Sequence, residues 1–153
     1  MFSTLDVSSA YWQTPVAEKD IPKTAFVTRC GLFEYVVMPF GLCNAPATYQ
    51  RLMEIALSGL QWTACLIYLD DVIIFAKSFS EHLDKLRQIL MRLRKANLKL
   101  SPSKCHLFCR KVEFLGHVVT PEGVLPKPDN VTKLVNWDTP RCVTDVRAVL
   151  GLG

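Results

Sequence analysis

Two adjacent aspartates, Asp70 and Asp71, interrupt the run Leu66-Ile67-Tyr68-Leu69-Asp70-Asp71-Val72-Ile73-Ile74-Phe75, which is otherwise built for burial. A buried, unpaired carboxylate is costly, and two side by side also repel. A divalent cation offsets that cost: Mg²⁺ prefers carboxylate oxygens and keeps waters and substrate phosphates as its other ligands. Taken alone, the pair reads equally well as a solvated Asp-Asp turn. A third acid changes the balance. Asp6 closes a second apolar run, Phe2-Ser3-Thr4-Leu5-Asp6-Val7, just before the small residues Ser8 and Ser9. Phosphoryl transfer by two metal ions about 4 Å apart needs bridging carboxylates from more than one strand. In that chemistry one ion activates the attacking hydroxyl and the other holds a triphosphate and its leaving group. The protein supplies position and charge.

The elements that would position these acids can be read from periodicity and punctuation. Phe2 to Val7 reads as a short strand, and Ser8 and Ser9 are placed to cap a helical turn carrying Tyr11 and Trp12. Thr24 to Thr28 and Phe33 to Met38 are β-rich runs around Arg29-Cys30-Gly31-Leu32, a hairpin signal. Asn44 is a good helix cap with Pro46 just after it. Tyr49, Leu52, Met53, Ala56, Leu57 and Leu60 then follow helical spacing, with Gly59 as a stop. Leu66 to Leu69 and Val72 to Phe75 read as two strands around Asp70-Asp71. Alternation along one strand would send the two aspartates to opposite faces, whereas a hairpin tip can turn both toward one site.

Ser80 is placed to cap a second helix, with Leu83, Leu86, Leu90 and Leu93 as its stripe and Asn97 at its end. Beyond Pro102, Val112 to Leu115 and His117 to Val119 are β-like, with Gly116 between them, and Pro121-Glu122-Gly123 is a turn. Asp129 to Trp137 and Val143 to Leu150 read as short helices. Mixed strands, helices and hairpins give an α+β class.

The bulk properties fit one globular domain: 153 residues, 50% apolar and 21% charged, net charge +4. The longest apolar stretch, Ala64 to Ala76, is too short for a membrane span and carries two aspartates at its centre, so no membrane partner is expected. From Lys85 to Lys111 nine Lys and Arg residues occur with no acid among them. Such a block faces phosphates or is a solvated helix face, and nothing in the pattern chooses between them. The six cysteines follow no disulfide-framework spacing. Cys105, His106, Cys109 and His117 fit no common zinc pattern.

Tyr68-Leu69-Asp70-Asp71 resembles the YxDD signature of reverse transcriptases, and Leu5-Asp6-Val7-Ser8-Ser9-Ala10-Tyr11 their first aspartate motif. Met38-Pro39-Phe40-Gly41-Leu42-Cys43-Asn44-Ala45-Pro46-Ala47 is similar to the next block. Phe114-Leu115-Gly116-His117 resembles the primer-grip region and Val149-Leu150-Gly151-Leu152 a further block. They occur in family order across nearly the whole chain, with wording closest to Pol polyproteins of gypsy-type LTR retrotransposons.

The resemblance implies a right-hand polymerase palm with a ferredoxin-like antiparallel sheet over residues 1–125, and the start of a thumb-side segment over 126–153. It implies two Mg²⁺ ions, replaceable by Mn²⁺, with Asp6 and Asp70 as main ligands, Asp71 assisting and the Val7 carbonyl adding a ligand. Tyr11 would select deoxynucleotides by clashing with a 2′-hydroxyl. Phe40 would line the nucleotide pocket; retroviral enzymes usually carry Gln there, which leaves stacking or shape as its role. Gly41 would let the backbone approach the nucleotide. Tyr68 and Leu69 would pack near the primer terminus, and Leu115 and Gly116 would help hold the primer strand. The implied partners are an RNA or DNA template with its primer, deoxynucleoside triphosphates, and the rest of a Pol polyprotein: fingers, thumb and RNase H. This stretch is then expected to be a fragment whose own activity is open, acting inside a cell, in a retroelement particle or the nucleus. The competing expectation is a retroelement relic that folds without catalysing. An RNA-dependent RNA polymerase is a third, disfavoured by Tyr11 and by Leu69, where those enzymes usually have Gly.

Overall fold

The computed structural model describes residues 1–136 and 139–150. The chain divides into two compact units, Met1–Phe108 and Cys109–Gly153. In the first, β1 (Phe2–Asp6), β2 (Phe26–Thr28) and β3 (Gly31–Phe33) precede α1 (Ala45–Ala56). Then come β4 (Cys65–Tyr68), β5 (Asp71–Phe75), α2 (Phe79–Lys95) and β6 (His106–Cys109), all but the last residue of which belongs to this unit. The four-stranded sheet has the order β4-β5-β1-β6, and β5 runs antiparallel to both β4 and β1. This is the expected mixed α+β architecture with antiparallel sheets.

The period of two divides the sheet's faces. Ser3 and Leu5 of β1, Cys65 and Ile67 of β4, and Val72 and Ile74 of β5 all lie on one face, and every one is buried. That face is covered by α1, through Ala45, Tyr49 and Met53, and by α2, through His82, Leu86, Ile89 and Leu93. The opposite face carries Phe2, Thr4, Asp6, Leu66, Tyr68, Asp71 and Phe75, all half-buried or exposed. Ile73 is buried on this second face but stands outside the core cluster.

Several boundaries differ from the sequence reading. The second helix is capped by Ser78, not Ser80: Ser78 Oγ accepts from the Glu81 N–H at 3.2 Å, and Glu81 Oε2 accepts from the Lys77 N–H at 3.0 Å. Ser78-Phe79-Ser80-Glu81 is thus the capping-box pattern, with the acid three residues after the cap. The earlier start goes with a different buried stripe, His82, Leu86, Ile89 and Leu93, and leaves Leu83 38% and Leu90 40% exposed. Asn97 ends the helix as expected, at φ +57°. The Leu98 N–H donates to Leu93 O at 2.9 Å and the Asn97 N–H to Arg94 O at 3.0 Å, the paired bonds of a Schellman closure. Asn44 and Ser9 sit at the expected helix starts, but neither side chain makes a capping hydrogen bond.

The β2–β3 hairpin turns at Arg29 and Cys30, with strands shorter than the β-rich runs and exposed throughout. In the second unit β7 (Val112–Phe114), β8 (His117–Thr120) and β9 (Gly123–Pro126) form an antiparallel meander. It is followed by α3 (Pro128–Val135) and α4 (Val143–Leu150). β6 and β9 had no counterpart in the sequence reading. Trp137, Gly151 and Leu152, which that reading placed in a helix and a family block, lie outside the described residues. Among the described residues no helix is long and apolar enough to cross a membrane. None of the six cysteines, all among the described residues, forms a disulfide.

Candidate active site

The register of two strand pairs places the acids. Asp6 is the direct cross-strand partner of Asp71, and Asp71 in turn of Tyr68. Direct partners project from the same face, so these three side chains form one row at the end of the open face. Asp70 sits in the two-residue turn beside them, after Leu69. Leu69 adopts φ +53°, a left-handed conformation that costs a side-chain-bearing residue roughly 1–2 kcal/mol. Two hydrogen bonds hold this turn from outside the hairpin. The Val7 N–H donates to Asp70 O at 3.1 Å, and the Leu69 N–H donates to Gln50 Oε1 at 2.7 Å. The first ties the end of β1 to the β4–β5 tip through backbone, and the second holds the tip from the α1 side chain.

The electrostatics are those of a crowded anionic corner. Asp6 is 18% exposed at its side chain, and its Oδ2 lies 3.4 Å from Lys104 Nζ. Its Oδ1 is buried with no hydrogen-bond partner, a condition that costs about 1–3 kcal/mol, and more for a charged group. Burial is the main cause holding the Asp71 carboxyl above the usual carboxylate range; Asp70 and Asp6 add to it and Lys104 opposes it. Tyr49, fully buried on α1, has its phenol pushed upward by burial and then by Asp70 and Asp6. Its Oη also lacks a partner.

The donor set suits a hard divalent cation, which takes anionic oxygens; the orphaned Oδ1 of Asp6 is the feature that such an ion would satisfy. Among the described residues no three acidic, His or Cys side chains converge at metal-ligating distance. Asp6, Asp70 and Asp71 share one corner, but the expected meeting of the three carboxylates at one point is not seen; Asp6 Oδ2 lies 3.4 Å from Lys104 Nζ.

The nucleotide-pocket candidates lie in the same unit. Segment 14–16 pairs with 36–38 through Met38 N–H to Thr14 O (2.9 Å) and Val16 N–H to Val36 O (3.0 Å). This brings Phe40 to Tyr11, with ring centroids 5.5 Å apart, and the Tyr11 ring is 5.8 Å from that of Tyr49. Phe40 is 70% exposed. Gly41 has φ +90°, and a Cβ there would meet nothing within 4 Å. Val7 is buried and follows Asp6 at the end of β1. Leu115 and Gly116 belong to the second unit, where they form the β7–β8 turn at φ +48° and +74°. The sequence reading missed Gln50, Lys104 and the Tyr49 hydroxyl as parts of this corner. The one available signal was Gln50 itself, a polar residue at the edge of the apolar stripe of α1.

Residues 1–119 match the family described as reverse transcriptase (RNA-dependent DNA polymerase). The chain is 45% identical over 151 residues to the retrovirus-related Pol polyprotein from transposon 297 of Drosophila melanogaster, covering 99% of this chain and 14% of that protein. It is 38% identical over 151 residues to the corresponding polyprotein from transposon gypsy of the same species, covering 99% of this chain and 15% of that protein. Among solved structures, the foamy viral protease-reverse transcriptase in complex with double-stranded DNA superposes with a TM-score of 0.89 at 27% identity. That match covers 99% of this chain and 26% of the viral one.

Proposed function

The chain belongs to the reverse transcriptase family, and on that premise we propose that it is the catalytic palm of a retrotransposon RNA-directed DNA polymerase. It would extend a primer 3′-hydroxyl with deoxynucleoside triphosphates along an RNA or DNA template, as part of a longer Pol polyprotein that supplies the fingers, thumb and RNase H. The observation that carries this reading is the cross-strand pairing of Asp6 with Asp71 beside the turn that holds Asp70.

Asp6 and Asp70, with Asp71 assisting and the Val7 carbonyl adding a ligand, would hold two Mg²⁺ or Mn²⁺ ions. Bound there, the ions supply Lewis-acid activation of the 3′-hydroxyl and charge neutralisation of the triphosphate. The protein groups orient. Tyr11, held against Phe40 and Tyr49, would select deoxynucleotides by clashing with a ribose 2′-hydroxyl. Phe40 offers an exposed ring for stacking or shape. Gly41, with open space where a side chain would be, admits close approach of its backbone to the nucleotide. Tyr68, in the row with Asp71, and Leu69, in the turn, would pack against the primer end. Leu115 and Gly116 would grip the primer strand.

The test is primer extension on poly(rA) by the full-length polyprotein with Mg²⁺. The wild type extends, and Asp70→Asn drops extension to background while the protein remains folded. Normal extension by Asp70→Asn, or none by the wild type, overturns the reading.

A further inference from the structure

The Leu69 N–H points out of the β4–β5 hairpin, and its partner comes from a helix. Gln50, in the second turn of α1, presents both ends of its amide to this tip. Its Oε1 accepts from the Leu69 N–H at 2.7 Å, and its Nε2 donates to Ile67 O at 3.5 Å. The same Nε2 donates to Glu54 Oε1 at 2.8 Å, one helical turn further on, which fixes the amide's orientation. One neutral side chain thus spans the end of β4 and the left-handed turn residue, and the next residue is Asp70. Leu69 is a β-turn residue in a conformation that its side chain disfavours (φ +53°), so a turn with Asp70 in this position needs external restraint.

We propose that Gln50 is a positioning residue. It clamps the Leu69-Asp70 turn from α1, and through that turn it sets the place of the Asp70 carboxylate. A neutral amide suits the position: a carboxylate there would face Glu54 directly and add another anion to a corner that already holds Asp6, Asp70 and Asp71.

The clamp is read from structure and its catalytic consequence rests on the polymerase reading, so the test has two arms. In the 153-residue chain, hydrogen exchange at the Leu69 amide is compared between wild type, Gln50→Leu, Gln50→Lys and Gln50→Glu, with the α2 amides as the folding control. Gln50→Leu removes every bond of the clamp. Gln50→Lys removes the acceptor but can pair with Glu54 and so supports the helix, which keeps the test valid if the leucine variant unfolds. Gln50→Glu keeps an acceptor. Losing one such hydrogen bond should speed Leu69 exchange about tenfold in the Leu and Lys variants, while Gln50→Glu, which keeps an acceptor but sets it against Glu54, should lose less protection than either. Wild-type protection in Gln50→Lys overturns the clamp.

In the full-length polyprotein, Gln50→Leu should lower kcat for primer extension about 100-fold, the scale of a misplacement near 1 Å, with KM for the nucleotide changed far less. Unchanged kcat alongside a freed Leu69 amide overturns the positioning role. A wild type that fails to extend at all overturns the polymerase reading and leaves the exchange arm to judge the clamp by itself.

Discussion

Asp6→Asn should make the metal-free chain more stable and abolish its response to Mg²⁺. Asp6 faces Asp71 directly across the β1–β5 pair, and like charges so placed destabilise by about 0.2–1 kcal/mol. Its Oδ1 is buried without a partner; a neutral amide lowers the cost of leaving that position unpaired, which is about 1–3 kcal/mol for such an atom and more when charged. The loss on substitution is the Lys104 contact at 3.4 Å, with the lysine 69% exposed, worth about 0–1 kcal/mol. The balance favours Asn by roughly 1 kcal/mol, or about 2–4 °C in Tm for a chain of this size.

Thermal unfolding followed by circular dichroism in EDTA, at pH 7 and low salt, measures this difference. Repeating the scan with Mg²⁺ reverses the order. A cation at ten times its Kd adds about 1.4 kcal/mol to the wild type and nothing to a variant lacking the ligand. An Asp6→Asn protein that melts below wild type in EDTA, or gains as much from Mg²⁺ as wild type does, refutes the argument that this carboxylate is held at a cost which metal repays.

Two further outcomes are expected. In the full-length polyprotein, Tyr11→Val should admit ribonucleotides, read as a fall in the ratio of deoxy- to ribonucleotide incorporation; an unchanged ratio removes the gate assignment. His82 is fully buried, with Nε2 2.6 Å from Ser3 Oγ and no partner for Nδ1. Burial first, then the N-terminal ammonium and Lys85, hold its pKa below 6.5 against the opposing pull of Glu81. Its neutral form therefore favours folding: that stability is present above pH 6.5 and is lost as pH falls through the lower folded value. Chemical denaturation of His82→Gln should show a flatter fall in stability below pH 6.5 than wild type, and parallel curves would exclude His82 as the source.

How much of this corner was legible in the sequence depended on the range of the interaction. Asp70 and Asp71 stood out because two anions inside an apolar run need explaining from the sequence itself, and the hairpin followed from the strands on either side. The Asp6 strand was legible for the same reason. The Ser78 cap is also a local signal, carried by Glu81 three residues on, which the Ser80 reading overlooked; the Ser78 start goes with His82 rather than Leu83 facing the core.

Other features exist only in three dimensions. β6 contains His106-Leu107-Phe108-Cys109, an unremarkable run; its place beside β1 includes a Phe108 N–H that donates to Ser3 Oγ at 3.0 Å. The Gln50 amide sits at a helix edge and the Lys104 ammonium at the end of a short 3₁₀ turn, Pro102–Lys104, ordinary places until the fold sets them beside Leu69 and Asp6. No periodicity encodes such pairings.

One constraint joins the core to the chemistry. Because successive strand residues face opposite sides, slipping β1 by one position against its packing would turn Leu5 outward and Asp6 into the layer beneath α1 and α2. Leu5, Val72 and Ile74 are each at most 2% exposed, so the slip would lose apolar burial and force a carboxylate into that layer, a double penalty of several kcal/mol. The packed face therefore enforces the register that pairs Asp6 with Asp71 on the open face. That division of labour explains how an anionic corner with an orphaned carboxylate oxygen and a strained Leu69 survives folding: its cost is met by the buried side of the same three strands. It also predicts where substitutions separate. Changes at Leu5 or Ile74 should act through stability and carry activity down with it, whereas Asp6, Asp70 and Gln50 should lose activity from a protein that still folds.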